Sequence, residues 1–235
     1  MKKLCIAFAI LTMVAAHSNA IEKKLLKDIN TSSMTAETQV TAKGGSENHV
    51  SLVWWIPSEF WKAVLSKDVS LAEMQKTAMI EVLANVSLVA VVQADISAMG
   101  SFKYYSKDEI GKNMVLSFVD SKGKKEKLSP LQKINPDLEL VLGQFKPILE
   151  SAMGNLGSNM HFYVFNDKSQ TSTRILDPYQ KGQIDVQLAS KDKTLLDASI
   201  ELPLNSLFIP RKCSNGKDAH VSWNYCHWTG QKLED

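Results

Sequence analysis

The order in which two-residue and 3.6-residue apolar periods alternate along the chain restricts its fold more than any other feature. Val50 to Ile56 reads as a strand, and Pro57 then suits the first turn of a helix from Ser58 to Leu65. A second helix is signalled by Ser70-Leu71-Ala72-Glu73, a capping box, with Val69 and Met74 placed for a hydrophobic staple and Leu71, Met74, Ala78 and Val82 along one face. Four strand candidates follow: Val86 to Ile96, Phe102 to Tyr105, the alternating Met114, Leu116 and Phe118, and a weak strand ending near Leu128 after the turn Asp120-Ser121-Lys122-Gly123. Asn135 and Pro136 open the strongest helix, Pro136 to Met153, with a stripe of Leu138, Val141, Leu142, Phe145, Ile148, Leu149 and Ala152. Pro147 should bend or split it, because the proline ring opposes the carbonyl of Gly143. Three strands complete the series: His161 to Phe165, then Ile184, Val186 and Leu188, then Leu196, Ala198, Ile200 and Leu202. Helices this few and this clustered cannot cross between every strand pair. The pattern therefore predicts an α+β fold, a mostly antiparallel sheet covered on one side by two to three helices.

Residues 1–20 have the form of an export signal. Met1, Lys2 and Lys3 make a positive start, Leu4 to Ala16 is almost wholly apolar, and Ser18-Asn19-Ala20 places small residues where a signal peptidase cuts. The apolar run would make about 20 Å of helix, short of a bilayer span. The expectation is a periplasmic or secreted protein without stable membrane insertion. Removing Lys2 and Lys3 turns the formal charge of +2 into 25 positives against 25 negatives. With a neutral mature chain, the lysines at Lys122, Lys124, Lys125 and Lys127 read as a solvated hairpin tip, and nucleic acid is excluded as an expected partner. Residues 21–48 are polar and Thr/Ser-rich, and read as a flexible polar arm with a short helix at Glu22 to Ile29. Residues 49–206 then form the α+β domain and 207–235 a hairpin tail.

Export leaves two cysteines, Cys213 and Cys226, and an oxidising compartment favours one disulfide between them. The intervening residues begin with turn formers and end in alternating Val221, Trp223 and Tyr225, which reads as a hairpin closed by the bridge. Cys226-His227-Trp228-Thr229-Gly230 and Cys213-Ser214-Asn215-Gly216 resemble the two knuckles of a zinc ribbon in which Thr229 and Gly216 stand where the other two thiolates belong. The resemblance covers about 27 residues and implies a shape: two facing knuckles at the end of a short hairpin. A metal alternative uses Cys213, His220, Cys226 and His227, which carry the donor atoms of tetrahedral zinc, although adjacent Cys226 and His227 rarely reach one ion. The expected cofactor is none, with zinc as that alternative.

The chain has no Gly-x-Gly-x-x-Gly, phosphate loop, Gly-x-Ser-x-Gly or His-Glu-x-x-His. Three Ser-x-x-Lys pairs, at Ser121/Lys124, Ser190/Lys193 and Ser214/Lys217, all fall in polar turns. His49 and His161 have no acid at a spacing that local structure brings together, which leaves catalysis to distant partners such as Asp177 or Asp185. No catalytic residue is assigned. The densest aromatic segment is Trp54-Trp55-Ile56-Pro57-Ser58-Glu59-Phe60-Trp61, with three of the five tryptophans. On a strand Trp54 and Trp55 point to opposite faces, so one ring enters the core and the other needs a cover. Core packing beneath the following helix is the plain reading. The functional one is a binding platform of Trp54, Trp55, Phe60 and Trp61 for a glycan, a peptide or another envelope protein.

These readings lead to an exported, non-catalytic binding or interaction protein of the bacterial cell envelope. The alternatives are an envelope hydrolase whose site assembles only in the fold, and a metal-binding protein using the tail.

Overall fold

The computed structural model describes residues 21–42, 48–168, 173–190 and 193–233; the expected export segment, residues 1–20, lies outside them. Its strands are β1 (Gln39–Thr41), β2 (His49–Ile56), β3 (Val86–Ile96), β4 (Phe102–Tyr104), β5 (Met114–Asp120), β6 (Lys125–Leu128), β7 (His161–Asn166), β8 (Gly182–Ser190), β9 (Lys193–Leu202), β10 (Arg211–Lys212) and β11 (Asp218–Ala219). Its helices are α1 (Thr31–Thr38), α2 (Ser58–Lys67), α3 (Glu73–Leu83), α4 (Lys107–Asn113), α5 (Pro136–Met153) and α6 (Asn155–Ser158). The fold is α+β and its paired strands are antiparallel.

The strands make two main sheets. In the first, β1, β2, β3 and β4 lie in that order and β7 also pairs with β3; in the second the order is β6, β5, β8, β9. The apolar alternation of β5, β8 and β9 supplies Leu116, Ile184, Val186, Leu188, Leu196 and Ile200 to a core shared with Val53, Trp55, Val89 and Val91 of the first sheet. The opposite face of the first sheet carries Trp54, Ile56, Leu88, Ala90 and Val92, and packs under Leu83 of α3 and Leu138, Val141, Leu142 and Leu149 of α5. The layers therefore run helices, first sheet, second sheet. β3 is the middle of this stack, which is why Leu88 through Ala94 is buried on both faces rather than alternately.

Several local expectations shift. Residues 21–42 are not a loose polar arm. Glu22 and Lys24 hydrogen-bond to the backbone of Ile209 and Leu207, Asn30 caps α1, and Ile29 and Met34 are fully buried in the inter-sheet core. Composition misled because two apolar side chains, correctly placed, are enough to dock a polar helix. The expected helix at Glu22 to Ile29 is only a 3-10 turn, Leu26–Asp28. α3 starts later than the capping box predicts: Ser70 bonds to Asp68, and the Gln75 side chain accepts from the Ala72 amide instead. Val69 and Met74, the expected staple, are 99% and 82% exposed. α5 runs unbroken through Pro147, and Ile148 of its expected stripe points outward at 62% exposure. α4 was not anticipated, although Ser106 and Glu109 form a full capping box at its start.

Candidate functional site

The sequence-predicted aromatic platform is core. Trp55 is fully buried between the sheets, with its Nε1 donating to Ser87 Oγ at 2.8 Å. Trp54 and Trp61 are each 8% exposed. Phe60 meets both edge-on at 5.2 and 5.3 Å, and Trp61 stacks on Phe145 of α5 at 4.1 Å. The two rings do take opposite faces of β2, and α2 and α5 cover the outer one, so Trp54, Trp55 and Trp61 are buried and Phe60 alone is half-buried.

The fold brings together two clusters, of which sequence spacing revealed only the second. The first lies where the sheets meet. The register of β2 on β3 sets His49 opposite Asp95. His49 Nδ1 is 2.9 Å from Asp95 Oδ1, and Nε2 is 2.6 Å from Ser51 Oγ. With the Nδ1 proton directed at the carboxylate, Nε2 accepts from the serine, in the order acid, imidazole, hydroxyl of a catalytic triad. Access decides against that chemistry. Ser51 is 2% exposed and sits mid-strand, whereas the small cleft that reaches this cluster, about 180 Å³, is lined by Asp95, Tyr105 and Ser190. Solvent therefore meets the acid end, and an acyl substrate has no approach to Oγ. The cluster instead ties the sheets together, because the Tyr105 hydroxyl lies 3.0 Å from both Asp95 Oδ2 and Ser190 Oγ of β8. His161, the other candidate base, donates from Nε2 to the Tyr105 carbonyl at 3.2 Å, and burial, with Lys146 and Lys107 nearby, pushes its pKa below the usual histidine value.

Burial pushes the Asp95 carboxyl up, but the hydrogen bonds from His49 and Tyr105 outweigh it and leave the group below the ordinary carboxylate value. A depressed folded pKa gives stability that is present above the unfolded value, about 3.9, and is lost as pH falls through the folded one. Asp95→Asn should accordingly be less stable than the parent in urea unfolding at neutral pH, and the gap should close once pH drops below the carboxylate range. A gap that is unchanged in acid would contradict this role.

The second constellation is at the tail. β10 pairs with β11, and Cys213 and Cys226 form a disulfide with Cα atoms 5.7 Å apart, so the tail is a hairpin closed by a bridge. In the chain-entropy model a loop this short contributes roughly 3 kcal/mol. The alternation at Val221, Trp223 and Tyr225 does not become a strand. The backbone there is claimed by side chains: Asn205 Oδ1 accepts from the Val221 amide at 2.9 Å, and the Arg211 guanidinium donates to the carbonyls of Val221 and Trp223. Val221 enters the inter-sheet core, which fixes the tail against the body. The two sulfurs face each other rather than a shared ion, and among the described residues no group of three or more metal-ligating side chains gathers.

Docked this way, the tail walls an open groove of about 670 Å³ whose other side is the β5–β6 turn and the adjoining ends of β8 and β9. It is lined by Asp120, Lys181, Gln183, Glu201, His220, Ser222 and Trp223, among others. A second depression, about 410 Å³, runs between β1 and β9 and meets the first at Glu201 and His220. His227 stacks on the Trp223 ring at 3.7 Å and 14°, and Trp228 meets it edge-on at 5.3 Å. Trp228 and Tyr225 are 48% and 57% exposed, so the tail, unlike the Trp54 segment, carries an exposed aromatic surface. Composition could have suggested it: Trp223, Tyr225 and Trp228 lie within six residues, in a segment too short to bury them. Comparison with family models, curated proteins and solved structures finds no match. Among the described residues no helix is long and apolar enough to cross a membrane.

Proposed function

We propose that this is a non-catalytic binding protein of the bacterial cell envelope, exported by residues 1–20 and presenting the groove beneath its tail to a ligand. The observation that carries this reading is Trp223. Its ring is half-buried, fixed by His227 on one side and by the Arg211 contact on its backbone, yet it still lines an open groove. A ring held in place before contact loses little conformational entropy when it is covered, which favours a recognition surface. Two further points support binding over hydrolysis: the one acid–imidazole–hydroxyl series described is closed to substrate at its serine, and the serine–imidazole contact in the groove, Ser222 Oγ to His220 Nδ1 at 2.8 Å, has no carboxylate hydrogen-bonded to its ring among the described residues. The disulfide is consistent with an oxidising compartment.

Co-sedimentation tests the reading. The mature protein should pellet with washed envelope material, either peptidoglycan sacculi or outer-membrane vesicles, and Trp223→Ala should shift most of it to the supernatant. Equal pelleting of both proteins, or of neither, would count against the groove.

A further inference from the structure

β9 is the last strand of the second sheet. β8 pairs with its inner edge, and among the described residues no other strand, isolated bridge or loop backbone bonds to residues 194–202. Such an edge turns alternate N–H and C=O groups outward, a template for one more strand. The depression of about 410 Å³ opens on this edge and not on a face of the sheet. Asp197, Ala198 and Ser199 all line it, although successive side chains of a strand point to opposite faces. Its other wall is β1, the edge strand of the first sheet.

Sheet edges are commonly closed by lysine, proline or a bulge. β6, the opposite edge of the same sheet, carries Lys125 and Lys127. Residues 194–202 hold neither lysine nor proline, and the register shift of β9 on β8 falls at Leu188 and Ala189, opposite its first residues. That leaves residues 197–202 regular and open, about 20 Å of strand. The charges beside them have one sign. Asp197 and Glu201 are exposed, Glu37 of α1 lies across the depression, and no lysine or arginine is among its lining residues. Gln187 donates to Asp197, and the Ser206 amide and hydroxyl donate to Glu37; these neutral donors orient the carboxylates and cancel none of their charge. In the adjoining groove Asp120 and the shared Glu201 meet Lys181 alone. A chain balanced at 25 positives and 25 negatives beyond residue 20 thus gathers net negative charge along its open edge.

Edge and charge together set the pattern of an added strand. Its side chains beside Asp197 and Glu201 would be basic, and those on the other face, against Ala198 and Val40, apolar. A second copy offering its own β9 would set acid against acid. We infer that the edge of β9 binds an extended segment of another exported protein, in which lysine or arginine alternates with apolar residues. The segment pairs through its backbone along residues 197–202 and enters the groove beneath the tail past Glu201. This deepens the groove reading by giving its ligand a chemical class.

The probe is an acetylated, amidated octapeptide of alternating lysine and valine, titrated calorimetrically into the mature, disulfide-bonded protein; its glutamate–valine counterpart is the control. Only the lysine peptide should bind, with affinity falling at least about fivefold from low to high salt. Asp197→Asn with Glu201→Gln, which removes charge at exposed positions and keeps an acceptor for Gln187, should lower affinity at least about tenfold. A strand pairs on one edge through alternate residues, so N-methylating either all lysine or all valine amides should, in at least one case, lower affinity about tenfold or more. In the complex, alternate amides of residues 197–202 should exchange with solvent more slowly. Equal binding of the two octapeptides, indifference to both methylations, or unchanged exchange in β9 would overturn the inference. So would a dimeric free protein with those amides already protected, which would assign the edge to a second copy. Failure of the lysine peptide while envelope co-sedimentation still depends on Trp223 would overturn the strand inference and leave the groove reading standing. Peptide binding at β9 with co-sedimentation indifferent to Trp223 would do the reverse.

Discussion

Arg174→Ala is expected to cost about 3–5 kcal/mol in urea unfolding at neutral pH, among the largest effects of any single substitution in this chain. Arg174 Nη1 bonds to both oxygens of Glu59 at 2.7 and 2.9 Å, and Nε bonds to Asp167 Oδ2 at 2.7 Å. Glu59 is 4% exposed and Asp167 2%. Removing the guanidinium strands two buried carboxylates next to each other, each desolvated and each repelling its neighbour. Burial already raises the Asp167 carboxyl above its ordinary value despite the arginine. The sign of the pH dependence follows. In the variant the Asp167 carboxyl, already raised by burial, loses the arginine that lowers it, so stability rises as pH falls and the deficit shrinks toward the acid range. Asp167 also anchors the following backbone, accepting from the Leu176 amide at 2.6 Å, so the loss should extend to that loop. A triple variant, Glu59→Gln, Asp167→Asn and Arg174→Met, should recover much of the stability, since the cost lies in the unpaired charges and not in the missing pair. A deficit of less than about 1 kcal/mol for Arg174→Ala would show that the cluster is solvated.

Trp55→Ala should cost a comparable 3–5 kcal/mol, through a different cause. The ring fills the space between the sheets at full burial, so its removal leaves a cavity whose walls are strands held by ladder bonds and cannot collapse inward. It also leaves the Ser87 hydroxyl, itself fully buried, without its donor. At about 2–4 °C per kcal/mol for a chain of this size, the melting temperature should fall by roughly 10 °C. Trp228→Ala is the matched control. That ring is 48% exposed on the tail, and its loss should change stability by less than about 0.5 kcal/mol. Similar losses at both positions would contradict the division of the tryptophans into core and surface.

Most of the architecture could be read from periodicity because its strands and long helices are regular. α5 begins and ends where Asn135, Pro136 and Gly154 place it, and β2, β3 and β9 keep the predicted spans to within a residue or a few. The single expected sheet became two because alternation fixes which side chains share a face but not which strands share a ladder. The connection from β5 and β6 to β8 passes through α5 and β7, and no local signal marks the change of sheet. The same limit hid the His49–Asp95 pairing. Two helices separate β2 from β3, so their register comes from packing and not from a turn. α1 was lost to composition, because its polar residues outnumber the two that bury, and α4 was lost although its capping box was present in the sequence.

The site was legible only in part. Cys213 and Cys226 identified the tail, but its aromatic surface was missed although Trp223, Tyr225 and Trp228 cluster there, and the groove exists because Val221 docks the tail against the body. That contact lies between segments that no spacing relates. Conversely, Trp54, Trp55 and Trp61 drew attention as a platform because sequence counts aromatic side chains without showing what covers them, and α5, which supplies Phe145 as that cover, lies more than eighty residues away.

The central claim is that recognition occurs at the tail groove and not at the aromatic core, and the five indole N–H groups report on it separately. A two-dimensional ¹⁵N–¹H spectrum of the mature protein, recorded during titration with soluble fragments released from the envelope material that pellets the protein, should show the Trp223 indole resonance shifting in proportion to occupancy, with Trp228 following weakly and Trp54, Trp55 and Trp61 unmoved. Shifts confined to Trp54, Trp55 or Trp61, with Trp223 unperturbed at saturation, would contradict the account.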